Sequence, residues 1–318
     1  MKQIIKISIM SLAAISVLTF SGCDSSSNSS DNSVEDHALE NNATEDHVTE
    51  SHDTSVSDEF IAEQRAKLAK STAGQDVGAQ SPRDIDDIGG NNIKATTTAP
   101  ASTAMNLCNI HFHKSAEHKG GEFTVYAGNG DGEGYGSGYK YSGSLSELEL
   151  THYEGEEICK YEHNPLYAGD TIEVHYVYTS DDVAPGESLG ACIAADREEG
   201  TQPLLRVEAQ VYVIVNDENA LDFVSLNKTI EDNTTNLYQA PNIPNNTGTA
   251  IEYEGSTTGA GYNEVASPYQ VTWNVRPNIA KVNMQTVGAW CDHNEYNEHK
   301  AHNVRNLLIN PDLLSQIK

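Results

Sequence analysis

A chain of 318 residues has room for one sizeable domain with appendages, and its formal net charge of −28 excludes the basic surface that nucleic-acid binding requires. The acidity is uneven, because residues 24 to 59 hold eleven Asp and Glu and no Lys or Arg. Charge of this sign keeps an exported protein soluble and unattracted to anionic membranes.

Export is what the first residues predict. Lys2 and Lys6 precede an apolar run from Ile7 to Phe20, and Phe20-Ser21-Gly22-Cys23 closes it with small residues before a cysteine, in the manner of a bacterial lipobox. The run is short for a membrane span. The pattern predicts a lipoprotein signal peptide over residues 1–22 and lipidation at Cys23. The mature chain would then be held to the periplasmic face of a bacterial membrane by acyl chains alone; an ordinary cleaved signal with release of the protein, or an uncleaved anchor, is the alternative. Residues 23–57 are Ser, Asn, Asp, Glu and Thr with hardly a large apolar side chain, so they cannot offset the entropy of ordering and read as a disordered tether. His37, His47 and His52 fall there beside acids and read as polar linker residues.

A single domain is expected over 58–318. Ser57-Asp58-Glu59 is a helix start, with good helix formers to about Lys70. Residues 72–104 read as an extended lead-in, and alternation then predicts strands near 107–113, 122–127, 171–179 and 205–215. The glycine-rich run between Ala127 and Gly143 lacks both the G-K-[ST] ending of a phosphate loop and EF-hand spacing, so it reads as a hairpin connection. An amphipathic helix is predicted near 295–309, with a further turn after Pro311. The fold class is mainly β (α+β), a central, largely antiparallel sheet flanked by short helices. In an oxidising compartment Cys108, Cys159, Cys192 and Cys291 form an even set for two disulfides in any of three pairings.

Two of the predicted strands carry the chemistry. In Asn109-Ile110-His111-Phe112-His113 alternate side chains share a face, so the two histidines point one way while Ile110 and Phe112 point toward a core. In Ile172-Glu173-Val174-His175-Tyr176-Val177-Tyr178-Thr179 alternation sets Glu173, His175, Val177 and Thr179 on one face and Ile172, Val174, Tyr176 and Tyr178 on the other. His111, His113 and His175 then make a three-imidazole zinc site with a fourth place for water, the open arrangement of catalytic zinc.

These segments resemble the core of delta-class carbonic anhydrases, which carry N-x-H-x-H-x-x-A-E-H followed later by E-V-H. The likeness extends from about Gln80-Ser81-Pro82-Arg83-Asp84-Ile85 to the final predicted helix. More distantly the chain is similar to the alpha class, with Thr201-Gln202-Pro203-Leu204-Leu205 resembling its threonine loop. The resemblance implies an alpha-carbonic-anhydrase-like sheet, Zn2+ held by His111, His113 and His175, and hydration of CO2 to bicarbonate by zinc-held hydroxide. It also implies roles for four neighbours. Glu173 would orient a zinc histidine, Thr201 would orient the hydroxide, Glu117 would accept the threonine proton, and His118 would be the buried, structural neighbour of Glu117. Glu117 lies closer to His113 than in the alpha class, and one threonine-proline pair is missing around Thr201. No proton shuttle stands out among His152, His163, His293, His299 and His302. Val177, on the ligand face, is a candidate wall for an uncharged substrate.

Two other readings compete. His111-x-His113-x-x-x-Glu117 satisfies the first motif of cupin oxygenases and isomerases, but the closing Pro-x-Gly-x-x-His is missing and Glu173, His175 and Thr201 would go unexplained. A periplasmic zinc-binding lipoprotein without catalysis would need four protein ligands closing the metal.

Overall fold

Ser57 opens the first helix by accepting from the Phe60 N–H, and Asp58 and Glu59 sit in the positive first turn of α1 (Asp58–Thr72). In this computed structural model the described residues are 55–94, 96–151, 157–160, 164–198, 200–257 and 261–317. They belong to one compact unit, His52–Lys318. The signal segment, Cys23, the tether with His37, His47 and His52, and also His152 and His163, lie outside the described residues.

The strands follow in chain order as β1 (Asn106–Lys114), β2 (Val125–Tyr126), β3 (Tyr139–Lys140), β4 (Thr171–Thr179) and β5 (Leu205–Val215). After the short α2 (Phe223–Leu226) come β6 (Ile230–Asp232), β7 (Leu237–Gln239), β8 (Ile251–Ser256), β9 (Gln270–Val275) and β10 (Ala280–Asn283), then α3 (Met284–Asp292). The main sheet runs β1-β4-β5-β9-β8, with β10 also paired to β5. Its pairs β1·β4, β4·β5 and β8·β9 are antiparallel, whereas β5 meets β9 and β10 in parallel, so the sheet is mixed. β5 is long enough to take both parallel neighbours, β9 beside Arg206–Ala209 and β10 beside Tyr212–Val215.

Both faces of this sheet are covered, which is why every residue of β4 and β5 is buried. On one face Ile110, Phe112, Ile172, Val174, Tyr176, Tyr178 and Tyr212 pack with Phe223 of α2 and Trp290 of α3. On the other, Val177, Val207, Ala209 and Val211 pack with Tyr253 and Trp273. The alternation expected in β1 and β4 is therefore the division between two cores. Cys108 bonds Cys192 in the second core, and Cys159 bonds Cys291 in the first.

The segment expected to be a helix near 295–309 is not one; the last α-helix ends at Asp292, and after it only a 3-10 turn at Pro311–Leu313 follows. Burial of Tyr296, Ala301, Val304 and Leu308 imitates a helical period, but the backbone is extended and finds its partners elsewhere. The His302 N–H donates to Phe112 O (2.8 Å), the Lys114 N–H donates to His302 O (3.3 Å), and the Leu308 N–H donates to Pro82 O (3.1 Å). Pairing with the open edge of β1 outweighed a weak helix propensity, and Asn294 favours the irregular path by accepting from the N–H groups of Tyr296 and Glu298. This C-terminal strap then packs Leu308, Leu313 and Leu314 on Leu68 of α1. The glycine-rich connection from β2 to β3 passes under the strap, where Gly134, at φ 108°, lies so close that a Cβ would stand 2.1 Å from Val304 O.

Phe112 has no exposed surface and meets the rings of Phe223 and Trp290 edge-on. Phe112→Ala is expected to cost about 3–5 kcal/mol by urea unfolding, and a loss under about 1 kcal/mol would show that this face does not carry the fold.

Candidate metal centre

The site is set by the register of β1 on β4. His111 lies directly opposite His175, His113 opposite Glu173 and Asn109 opposite Val177. Directly opposed residues of an antiparallel pair have Cβ atoms about 4.5–5.5 Å apart, so one patch of sheet brings three imidazoles together. One nitrogen from each of His111, His113 and His175 falls in a group whose members all lie within 4.8 Å of one another. Imidazole nitrogens on a shared zinc ion, each about 2.0–2.1 Å from it, stand roughly 3.4 Å apart, and His111 Nε2 stands 3.2 Å from His175 Nδ1.

Each ring has a hydrogen-bond acceptor at one of its two nitrogens. His111 Nδ1 donates to Asn109 Oδ1 (2.7 Å), His113 Nδ1 donates to the Asn303 carbonyl (2.6 Å), and His175 Nε2 donates to Glu173 Oε1 (3.0 Å). The opposite nitrogens, His111 Nε2, His113 Nε2 and His175 Nδ1, therefore carry lone pairs. His113 Nε2 is buried and has no hydrogen-bond partner, and His111 Nε2 stands 3.2 Å from His175 Nδ1, lone pair against lone pair. Such an arrangement is repulsive unless a cation lies among the three. The residues fit a metal ion.

Burial favours the neutral, ligating form of these rings. It pushes His111 well below and His175 below the usual histidine range, with neighbouring imidazoles adding to the effect, and brings His113 down to about 3. Glu173 behaves oppositely. Burial pushes its carboxyl up, but the facing His118 and His175 and the hydrogen bonds they donate hold it well below the carboxylate range. Its Oε1 accepts from His118 Nδ1 (2.6 Å) as well as from His175, and its Oε2 accepts from the His118 N–H (3.1 Å). A second group of possible ligands, His118, Glu173 and His175, is thus already satisfied by internal hydrogen bonds.

His118 and Glu117 reach the site because β1 ends at a residue with left-handed backbone, Ser115 at φ 68°. His118 is buried between Glu173 and the hydroxyl of Tyr253 (2.6 Å from Nε2). Glu117 is buried behind the histidines, 3.8 Å from His113 Nδ1 and 4.0 Å from His175 Nε2, and its Oε1 accepts from the Arg305 N–H (3.1 Å). Burial pushes the Glu117 carboxyl up.

The cluster opens into a cleft of about 560 Å³. Its wall includes Asn109, His111 and His113, Leu189 of the turn that ends at the disulfide-bonded Cys192, and Asn303 to Arg305 of the strap. Of the described histidines weighed as proton carriers, His302 lies on this wall, its ring centre 5.3 Å from that of His111 and its Nε2 2.8 Å from Glu298 Oε2. His293 and His299 are not part of the wall.

Two expected residues are not brought to the site. Thr201 is exposed, and its hydroxyl donates to the Glu198 carbonyl (2.7 Å). It precedes the start of β5, which pairs with the Thr179 end of β4, whereas His175 faces Ala209 further along. The Pro-Leu-Leu resemblance there reflects entry into a buried strand. Val177 is on the ligand face but sealed within the second core, and the apolar wall of the cleft is supplied by Leu189 and Val304 instead.

Residues 102–286 match the family model described as Delta carbonic anhydrase. The chain belongs to the delta carbonic anhydrases. It is a carbonate dehydratase, interconverting carbon dioxide and bicarbonate. Among solved structures this carbonic anhydrase is similar to the alpha-carbonic anhydrase of Photobacterium profundum, at 15% identity over 78% of this chain and 92% of that one, with a TM-score of 0.26. It is also similar to a hyperthermostable carbonic anhydrase from an active hydrothermal vent chimney, at 13% identity over 79% and 90% of the two chains, TM-score 0.28. No curated protein matches it. The matched span contains every candidate metal ligand but stops short of Asn303 and Arg305, whose backbone groups meet His113 and Glu117.

Sequence reasoning missed Asn109, although its signal was present, since it shares the face of His111 and His113 two residues upstream. It also missed Asn303 and Arg305, which act through backbone atoms and leave no trace in side-chain pattern.

A histidine held neutral in the folded chain binds fewer protons than in the unfolded chain. The stability His113 contributes is complete above pH 6.5 and is lost as the pH falls toward about 3. The unfolding free energy of chelator-treated wild type minus that of His113→Gln should therefore fall by about 1.4 kcal/mol per pH unit between pH 6 and 4. A flat difference in urea unfolding across that window would contradict the neutral assignment.

Proposed function

We propose that His111, His113 and His175 hold a zinc ion and that this carbonic anhydrase hydrates carbon dioxide at that point. The convergence of three lone-pair nitrogens from two paired strands carries the reading. Donors that are all imidazole suit zinc better than magnesium or calcium. A zinc ion bound by three neutral ligands supplies a Lewis acid that lowers the pKa of a bound water from 15.7 to about 7.

The protein's own part is to hold the rings and shape the space before them. Asn109, the Asn303 carbonyl and Glu173 each keep a ring proton turned away from the ligand point. The ionised Glu173 also raises the basicity of the His175 ring. Glu117, pinned by the Arg305 amide, stands behind His113 and His175 as the nearest further carboxyl group. Leu189 and Val304 give an uncharged substrate an apolar surface beside the polar floor, and the open mouth lets bicarbonate and a proton leave.

The geometry favours this over both rivals. Glu117 is not among the converging donors, as a cupin site would require, and no fourth protein donor joins the three among the described residues. His302 Nε2 is engaged by Glu298.

His175→Ala should weaken zinc binding at least about 100-fold and abolish carbon dioxide hydration above background in stopped-flow assays, whereas Thr201→Ala should stay within about twofold of wild type. Zinc-replete, folded protein without hydration activity would sink the proposed chemistry; full zinc affinity in His175→Ala would sink the ligand set.

We also propose that Cys23 carries the lipid that anchors the chain to the periplasmic face of a membrane, supported by Lys2, Lys6, the short apolar run and the small residues before the cysteine. Cells expressing Cys23→Ala should release into the soluble fraction a protein that wild-type cells retain with membranes and label with radioactive palmitate. Equal fractionation and no label on either form would refute the anchor.

A further inference from the structure

The loop from Gly186 to Cys192 is fastened to β1 at both ends. At one end the Gly186 N–H donates to Cys108 O (3.0 Å) and Asn109 Nδ2 donates to Gly186 O (3.0 Å). At the other, Cys192 is bonded to Cys108, and its carbonyl accepts from Thr179 Oγ1 (2.8 Å) on β4. Between the two fastenings Ser188, Leu189 and Gly190 form part of the cleft wall.

Cys108 sits where β1 departs from regular pairing, between Leu107 and Asn109, so the ladder alone does not hold this stretch. The next residue is Asn109, whose Oδ1 receives the His111 Nδ1 proton. An asparagine amide can present either its oxygen or its nitrogen. The Gly186 carbonyl can only accept, so it keeps Nδ2 toward itself and leaves Oδ1 for His111. If the loop drifted, the amide could turn over, the Nδ1 proton would lose its acceptor, and the Nε2 lone pair would no longer be assured.

We propose that the Cys108–Cys192 bridge is a positioning device for the metal centre, acting through Gly186 and Asn109 on the tautomer and orientation of His111. The proposal rests on the zinc reading above. The other bridge provides an internal comparison, since Cys159 and Cys291, the latter in α3, lie in the opposite core and neither is part of the cleft wall.

The test is zinc affinity by chelator competition, with thermal unfolding of the metal-free forms, for wild type, Cys108→Ala/Cys192→Ala, Cys159→Ala/Cys291→Ala and Asn109→Ala. Removing the cleft bridge should weaken zinc binding about 10–100-fold, the usual scale for groups that orient a ligand. Asn109→Ala should match it, and adding Asn109→Ala to the bridge variant should cost little more, because both act on the same ring. Cys159→Ala/Cys291→Ala should lower the unfolding temperature while keeping zinc affinity within about threefold of wild type. Wild-type affinity in the cleft-bridge variant, or equal weakening by both bridge variants, overturns the proposal. Asn109→Ala retains both bridges and decides the matter if the cleft-bridge variant does not fold: wild-type affinity there overturns it as well. His175→Ala measured alongside separates the two readings, since full zinc affinity in that variant means the ligand set has failed and not the bridge.

Discussion

The centre depends on one constraint, the register in which β1 lies against β4. With His111 opposite His175 and His113 opposite Glu173, a two-by-two patch of sheet holds three ring donors and the carboxylate that orients one of them. Strand side chains alternate with period two, so a slip by one residue would set Val174 or Tyr176 opposite His111 and turn the imidazoles toward the first core. Phe112 and Ile110 would then face the cleft. The register is protected by burial on both sides, because Ile172, Val174, Tyr176 and Tyr178 of β4 belong to the first core while Val177 is packed in the second and Glu173 and His175 are buried beside it. The same hydrophobic packing that stabilises the fold thus fixes the geometry of the polar site.

Charge at the site is organised around Glu173. A buried carboxylate without partners is strongly disfavoured, yet this one accepts from His118 twice and from His175 once, which stabilises its ionised form. Its second partner, His118, is held in turn by Tyr253, whose hydroxyl also meets Ser81 Oγ (3.0 Å). Orientation therefore passes inward from β8 and the N-terminal lead-in to the ring of His175. Glu117 is only about 4 Å from the same histidines but takes its hydrogen bond from the strap, so two neighbouring carboxyl groups answer to different parts of the chain.

Much of this was legible in the amino-acid order. Alternation marked β1, β4 and β5 to within a residue or two and separated core-facing from cleft-facing side chains, because strand periodicity is a local property. The N-x-H-x-H and E-x-H spacings likewise needed only local geometry. Thr201 was misplaced for a different reason. Its Pro-Leu-Leu continuation marks entry into a buried strand, which sequence pattern detects, but which end of that strand lies near the histidine cluster depends on pairing that pattern does not encode. The C-terminal segment failed similarly. Tyr296, Ala301, Val304 and Leu308 are buried at helix-like intervals, and only the vacant edge of β1 decides that the backbone runs extended. The cysteine pairing could not be chosen for the same reason, since Cys108 and Cys192 meet through a sheet irregularity and a loop 84 residues away.

That vacant edge explains why the last residues of the domain belong to the site. An edge strand leaves backbone donors and acceptors unpaired, so an exposed edge of β1 would let water and other chains compete for the strand that positions His111 and His113. The strap closes it with bonds from His302 to Phe112 and from Lys114 to His302. Once it lies in that register, the next residues arrive at fixed places: the Asn303 carbonyl at His113 Nδ1 and the Arg305 N–H at Glu117. Both contacts use backbone atoms, so they persist through changes in those side chains as long as the strap keeps its path. That path is secured from outside by the burial of Leu308, Leu313 and Leu314 against α1. A helix at the start of the domain, remote in sequence from all three histidines, thereby helps to hold the proton on Nδ1 of His113.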